Sequence, residues 1–366
     1  MQITRVEAIP FCIPYHEPIH FATGVLTSAE HVLVRVHTDT GLVGQAEAPA
    51  RPMIYGESQA SIVAAIKLWF EPALIGLSPF ETERAQARLR WVLGNHTAKG
   101  AIDMALYDLV GQAVGQPCYR LLGGWTNTLT ATHILGFGPP AKIAEDALAA
   151  RAQYGFKAFK LKVGKDMARD VAMCRAVRQA LGPEVLLYAD ANHGYTAEQA
   201  VRALDAITEF DIAWVEEPSP AEDRVGRQRV ARSAAMPVLG DESCTTLAEV
   251  ARQLQDETVR IVSIKVARTG FTASTSILGL CEGFGARALC GSQGDSMIGT
   301  LCTVAFGAAH EATAGLPAEL SYFLGLTDDL LVEPLTIRDG TLAAPDRPGL
   351  GIEIDPNKLA RYRAEL

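Results

Sequence analysis

The first fifty residues alternate between apolar and polar side chains, which is the period of half-buried β-strands. His31–His37 alternates most regularly, and the turn sequence Thr38–Gly41 leads into Leu42–Ala46, so a hairpin is predicted. The period then changes to three and four residues, which predicts helices. Three segments have this period: Ser58–Ala73, Phe80–Leu93 and Thr97–Val114. Strands followed by helices predict a small α+β domain.

From Leu129 onward, short apolar runs alternate with helix-periodic segments. Nearly continuous apolar runs are typical of parallel strands that are covered on both faces. Seven strands are predicted, at Leu129–Leu135, Ala158–Val163, Val185–Ala189, Ile212–Val215, Val238–Gly240, Ile261–Val266 and Ala286–Cys290. The segments between them, such as Ala141–Tyr154 and Thr196–Phe210, have the pattern of crossover helices. A repeat of about 25 residues predicts an α/β fold of the (β/α)8, TIM-like barrel type, which needs roughly 200 residues.

These patterns divide the chain into three parts. We expect an N-terminal α+β capping domain over residues 1–125 and a (β/α) barrel over residues 126–325. The remaining residues, 326–366, contain strand-like stretches and turns within Leu331–Asp355. We expect this C-terminal segment to return to the capping domain.

The charge of the chain narrows the range of partners. The 366 residues include 33 Lys and Arg and 42 Asp and Glu, for a net charge of −9, without a run of basic residues. This excludes the usual surfaces for nucleic acid and for an anionic membrane. The seven cysteines are scattered and form no C-x-x-C pair, so we expect small buried side chains in a reducing compartment. The chain shows no signal-type stretch and no apolar run of membrane-spanning length, and we expect a soluble cytoplasmic protein.

Charged side chains stand at or near the ends of five consecutive predicted strands, one repeat apart. They are Lys162, Asp190, Glu216, Asp241 and Lys265. Any one of them could cap a helix or reach solvent. Together they favour a shared site, because the carboxyl ends of barrel strands converge on one mouth, where such folds place their chemistry.

Three carboxylates without a histidine or cysteine form an all-oxygen cation site. Asp190, Glu216 and Asp241 are therefore the predicted metal ligands, for Mg²⁺ with Mn²⁺ tolerated. Lys162 and Lys265 come from opposite sides of the mouth and are the predicted catalytic acid and base. A cation on a substrate carboxylate stabilises the charge left when an α-proton departs, and a lysine beside a cation has its neutral form favoured. The residues predict proton transfer next to a metal-bound carboxylate.

The same residues resemble the enolase superfamily, and within it the muconate lactonizing enzyme subgroup. That subgroup has a K-x-K motif, then Asp, Glu and Asp metal ligands, then a Lys, on successive barrel strands. Here the motif is Lys160-Leu161-Lys162, and the resemblance extends over essentially the whole chain. Lys160 faces the same side as Lys162 and would add positive charge for a substrate carboxylate.

The resemblance also implies a substrate and its binding residues. In the family, two loops of the first domain and strands seven and eight determine specificity; here the loops are Pro18–Leu26 and Pro49–Glu57. The expected substrate-binding residues are Lys160, Phe21, Ile54, Tyr55, Asn192, Gln293, Asp295 and Phe323. The pattern is most similar to muconate cycloisomerases, which implies conversion of a small dicarboxylate, cis,cis-muconate, to muconolactone. It also implies a homo-oligomer, from a dimer to an octamer.

Other activities remain open at this stage. The same barrel serves N-acylamino acid racemases, o-succinylbenzoate synthases and dipeptide epimerases. The epimerases place an Asp-x-Asp near strand eight to hold a substrate ammonium, whereas this chain has Glu319-Leu320-Ser321. A Schiff-base lyase that uses Lys265 as its nucleophile is an alternative of another class, and a non-catalytic scaffold is a third.

Overall fold

A computed structural model describes residues 1–20 and 25–366. The first domain is built on an antiparallel sheet of β1 (Ile3–His20), β2 (Val25–Thr38) and β3 (Val43–Pro49). The predicted hairpin is β2–β3. The predicted loop Pro18–Leu26 is shorter than expected, because Ile19 pairs with Leu26 and extends the β1–β2 ladder.

Six helices follow the sheet. They are α1 (Pro52–Tyr55), α2 (Gln59–Ala65), α3 (Glu71–Leu74), α4 (Thr82–Leu89), α5 (His96–Val114) and α6 (Cys118–Leu122), and a π-helical turn over Ile66–Phe70 joins α2 to α3. Helix α5 is buried along most of its length and packs on β2 and β3. It ends at Gly115, whose left-handed backbone a glycine adopts without strain.

Eight parallel strands form a nearly closed barrel, which confirms the predicted fold class. They are β4 (Thr128–Leu135), β5 (Ala158–Lys162), β6 (Leu186–Asp190), β7 (Ile212–Glu216), β8 (Val238–Gly240), β9 (Ile261–Ile264), β10 (Arg287–Cys290) and β11 (Ala318–Glu319). Each strand pairs with the next one along the chain, and β11 returns to pair with β4. In the described chain, β10 and β11 are neighbours without a ladder of backbone hydrogen bonds.

Helices cover the outside of the barrel. They are α7 (Pro140–Tyr154), α8 (Met167–Leu181), α9 (Ala197–Ile207), α10 (Arg224–Ser233), α11 (Leu247–Gln255), α12 (Val266–Gly283), α13 (Met297–Ala309) and α14 (Glu311–Ala314). Thr196 and Thr246 begin α9 and α11 with capping boxes, which satisfy the first backbone N–H groups of each helix. A short 3₁₀ turn, Thr208–Phe210, extends α9, and α12 kinks at Gly270.

Side chains fill the interior of the barrel, so a packed apolar layer lies below the charged strand ends. Tyr188, Trp214, Leu239, Ile261 and Leu289 form a separate buried cluster within it. Such layers make a TIM-like barrel a packed core and confine its chemistry to the mouth.

The C-terminal segment contacts both domains. A 3₁₀ turn over Tyr322–Gly325 follows the last barrel strand, and later come β12 (Thr341–Ala343), antiparallel to β4, and α15 (Pro356–Tyr362). The N–H groups of Thr327 and Ala364 donate to carbonyl oxygens of β1, each at 2.9 Å. The strand character expected over Leu331–Asp355 is confined mainly to β12, because the intervening prolines and glycines favour turns.

In residues 1–20 and 25–366, the structure contains no helix long and apolar enough to cross a membrane. The seven cysteines are free thiols, and all except Cys12 are buried. They pack as small apolar side chains.

Close packing between β3 and α5 generates a stability prediction. A Cβ added at Gly44 would lie 2.0 Å from the backbone oxygen of Ala105, whereas one added at Gly279 on the exposed side of α12 would meet nothing within 4 Å. Gly44→Ala should lower the free energy of unfolding by about 1–3 kcal/mol or more, while Gly279→Ala should be neutral or stabilise by up to about 1 kcal/mol. Denaturant titration of both variants checks this, and equal midpoints would contradict the packing.

Candidate active site

The predicted charged residues meet at the carboxyl ends of the barrel strands. In the β-ladders, Lys162 is the partner of Asp190 and Asp190 is the partner of Glu216. Asp241 directly follows β8 and Lys265 directly follows β9. The mouth encloses a cavity of about 60 Å³. The predicted residues that line it are Ile54, Lys160, Lys162, Asp190, Asn192, Asp241, Lys265 and Gln293.

Lys160 lies at the centre of this cluster. Its Nζ is 2.8 Å from Asp190 Oδ2, 2.8 Å from Glu216 Oε1 and 2.6 Å from Glu319 Oε1. Burial alone would lower the pKa of the Lys160 ammonium, but the charges of these carboxylates outweigh burial and hold the pKa well above its usual value. Lys160 is therefore a buried cation, and such a charge is stable only where it is paired.

The two predicted catalytic lysines reach the cavity from strands on opposite sides of the barrel. Lys162 Nζ donates to Asp190 Oδ2 at 2.6 Å and to Asn192 Oδ1 at 2.7 Å. Lys265 Nζ forms an ion pair with Asp241 Oδ2, and Arg268 Nη1 donates to the other oxygen of Asp241 at 2.8 Å. Strands β5 and β9 are the second and sixth of the eight, so the two ammonium groups belong to opposed parts of the mouth.

The carboxylate at Asp241 sets the protonation of Lys265. Burial would lower the pKa of Lys265, but the Asp241 charge outweighs burial and raises the pKa above its usual value. This is opposite to the shift expected for a lysine beside a divalent cation, because the carboxylate here contacts the ammonium directly. The protonated form suits a proton donor and disfavours a Schiff-base nucleophile.

The predicted metal ligands have suitable donors and lie at the same mouth, but their oxygens are not grouped around one ion position in the described residues. Within the described residues, no group of three His, Cys, Asp or Glu side chains is arranged to hold an ion. The ammonium of Lys160 lies between Asp190 and Glu216 instead.

Two observations nonetheless fit a cation. Glu216 Oε2 is buried and has no hydrogen-bond partner among the residues that the structure describes. Burial and then the neighbouring Asp190 charge raise the pKa of the Glu216 carboxyl well above its usual range. A hard divalent cation would satisfy this oxygen and reduce the repulsion between the carboxylates.

Several residues of the site had not been predicted. Glu319 accepts from Lys160, from Tyr188 Oη at 3.2 Å and from Ser292 N at 3.0 Å. It lies on a two-residue strand, which is too short to show a period. Arg268 follows Lys265 by three residues, nearly one helical turn, and this spacing could have indicated it. Unpredicted residues with polar side chains that line the cavity are Arg51, Glu242, Ser292, Glu319 and Tyr322.

The expected substrate-binding residues separate into three groups. Lys160, Ile54, Asn192 and Gln293 line the cavity. The Tyr55 hydroxyl contacts the Gln293 amide and, at 3.4 Å, Arg268 Nη1. Phe21 lies outside the described residues.

Asp295 and Phe323 form the third group, since neither is among the described residues that line the cavity. Asp295 Oδ2 accepts from Ser292 Oγ at 2.7 Å, and its carboxylate lies near Glu47 in the domain interface, not at Lys265. Burial, followed by the charge of Glu47, raises the pKa of Asp295 to about 6. Phe323 is buried in the 3₁₀ turn after β11.

Both domains of the chain are similar to known proteins. Residues 4–123 match the model of the mandelate racemase / muconate lactonizing enzyme N-terminal domain, and residues 142–358 match the enolase C-terminal domain-like family. The muconate lactonizing enzyme from Mucobacterium smegmatis, solved with muconolactone, is 47% identical with a TM-score of 0.98, and the match covers 100% of both chains.

Relatives with other activities are also similar. The L-Ala-D/L-Glu epimerase of Bacillus subtilis is 32% identical over 96% of this chain and 97% of its own length. The dipeptide epimerase from Enterococcus faecalis V583, solved with Mg and the dipeptide L-Leu-L-Tyr, is 30% identical with a TM-score of 0.92, covering 96% of this chain and 100% of the other. Both domain matches, together with the barrel and the charged mouth, show that the chain belongs to the enolase superfamily.

Proposed function

We propose that the protein is a magnesium-dependent cycloisomerase that converts cis,cis-muconate to muconolactone. The observation that carries the proposal is the pair of lysines, Lys162 and Lys265, which line one cavity from opposed strands with carboxylates beside them. The similarity to a muconate lactonizing enzyme over the whole chain supports the choice of substrate.

The reaction needs a proton donor beside the substrate, and it needs muconate to be bound in a curved conformation. One carboxylate oxygen of muconate forms a C–O bond to the carbon chain, and the displaced π electrons move to the carbon α to the other carboxylate. That carbon takes a proton from Lys162 or Lys265, and solvent returns the proton to the lysine. Magnesium held by Asp190, Glu216 and Asp241 would stabilise negative charge on the substrate carboxylate.

The end of strand eight argues against a dipeptide substrate. An epimerase substrate carries an α-ammonium, which needs a carboxylate that is free to receive it. Glu319 is already engaged by Lys160, Tyr188 and Ser292, and Ser321 has no charge.

Dipeptide epimerisation is an alternative that similarity supports, since an epimerase is 32% identical. N-acylamino acid racemase and o-succinylbenzoate synthase activities are further members of the same set. Incubation with Mg²⁺ and cis,cis-muconate in D₂O, followed by NMR of the product, tests the proposal. It reports the reaction, its regiochemistry and the face of protonation. Deuterium exchange into L-Ala-L-Glu without loss of muconate would replace the proposal with the epimerase.

The metal ligands can be tested individually. Asp190→Asn, Glu216→Gln and Asp241→Asn should each abolish turnover and Mg²⁺ binding, because each removes an anionic oxygen donor. Titration calorimetry measures the binding, and circular dichroism checks that the fold is retained. Glu222→Gln is the matched control, since Glu222 is an exposed acid just beyond β7. Wild-type Mg²⁺ affinity in any of the three would remove that residue from the ligand set.

The lysines should contribute by proton transfer. Lys162→Ala and Lys265→Ala should each reduce kcat by at least about 100-fold, the usual size of a general acid–base contribution. Lys165→Ala is the control, because Lys165 is exposed and lies 4.4 Å from the Phe137 ring centroid. Near-normal steady-state rates in both active-site variants would end the two-lysine proposal.

The cap loops should determine substrate affinity. Tyr55→Ala should raise KM, because the Tyr55 hydroxyl orients Gln293 and Arg268 at the edge of the cavity. Phe21→Ala should do the same if its loop covers the substrate. Phe80→Ala, which changes an exposed aromatic before α4, provides the comparison. Unaltered KM and kcat in both loop variants would show that the loop assignment is wrong.

A further inference from the structure

Arg51 is a buried cation at the mouth, and it differs from the lysines there in its ion pairing. Lys160, Lys162 and Lys265 each contact at least one carboxylate. Arg51, which comes from the capping domain, also lines the cavity and is only 3% exposed. Within the described ranges, no carboxylate oxygen lies within ion-pair distance of its guanidinium. Phe21–Gly24, which lie outside those ranges, include no acidic residue.

The contacts of Arg51 are with neutral or shared groups. Nη1 donates to the carbonyl of Ala50 at 2.6 Å, and Nη2 donates to the carbonyl of Gly294 at 3.2 Å. Nη2 also lies 3.5 Å from Nε2 of His31, whose other ring nitrogen faces Glu47. The neighbouring acids have partners of their own, because Glu47 accepts from Ser296 N at 2.9 Å and Asp295 accepts from Ser292.

A buried guanidinium without a contacting carboxylate is costly unless a ligand supplies the negative charge. A guanidinium is also the side chain best suited to bind a carboxylate through two parallel hydrogen bonds. The cavity that Arg51 lines is also lined by Lys160, Lys162 and Lys265 of the barrel, beside the proposed metal ligands. The capping domain and the barrel therefore provide partners for two anionic groups on one molecule.

We infer that Arg51 binds one carboxylate of a dicarboxylate substrate while the other carboxylate lies at the barrel lysines. The inference rests on the proposed function for the identity of the substrate, but not for its chemical class. It makes Arg51 a specificity-determining residue, which selects dianions over monocarboxylates of the same length. It also gives the capping domain a role in substrate recognition by charge.

Binding of unreactive probes tests this inference without relying on turnover. In the presence of Mg²⁺, calorimetry should show that the wild-type protein binds adipate more tightly than hexanoate. Arg51→Gln should weaken adipate binding by about 10- to 100-fold, the usual value of a charged hydrogen bond, and should change hexanoate binding little. The preference for the dicarboxylate would then disappear.

Two further variants separate substrate recognition from structural support. Arg51→Lys keeps the charge and should retain part of the preference, so the test stays readable if Arg51→Gln does not fold. Tyr15→Phe is the matched control, because the Tyr15 hydroxyl also donates to the Gly294 carbonyl, at 3.5 Å, without a charge. It should leave the preference unchanged.

The outcomes distinguish this inference from the proposed function. A wild-type protein that binds adipate no better than hexanoate would overturn the inference, even if muconate is converted. An unchanged preference in Arg51→Gln would also overturn it. A protein that shows the Arg51-dependent preference but does not convert muconate would keep the inference and refute the cycloisomerase proposal.

Discussion

Compensation of buried charge is the constraint on which this structure depends. Parallel strands that end in register bring lysines and carboxylates to one mouth, where water cannot screen them. Each ammonium is stabilised because a carboxylate contacts it, and Asp190 and Asp241 are stabilised in return. Removing one partner would leave an uncompensated buried charge, which costs far more than the pair contributes. The cluster must therefore form as a whole, and a substrate or cation that enters has to exchange places with existing partners.

The capping domain completes this arrangement. The β3 residue Glu47 accepts hydrogen bonds from Ser296 after strand seven, and Arg51 donates to Gly294 in the same loop. The loop after strand seven also provides Gln293, which contacts Tyr55 of the cap. Both domains therefore meet through polar contacts around the cavity. The shape of the site depends on the position of the capping domain relative to the barrel.

Periodicity was sufficient to predict the sheet of the cap, the barrel and the charged strand ends, because strands covered on both faces leave a strong apolar signal. It could not predict β11, which has only two residues, and although the family resemblance placed Glu319 near strand eight, its contact with Lys160 was missed. Asp295 was expected to bind substrate but lies in the domain interface, because the turn after Ser292 directs its side chain toward Glu47. Arg51 was missed because a single arginine in a loop carries no pattern. Domain limits, oligomeric state and cytoplasmic location stay predictions.

The joint between β10 and β11 has a consequence for how this barrel could diversify. In seven of its eight neighbouring strand pairs, backbone hydrogen bonds join the strands, and these bonds do not depend on which side chains are present. At the eighth, a bond from the Ser292 N–H to the Glu319 carboxylate bridges the gap. A side chain can be exchanged by a single codon change, whereas a ladder cannot. Substitutions at the β10–β11 junction can therefore change residues that line the cavity, while the other seven strand pairs keep the barrel folded.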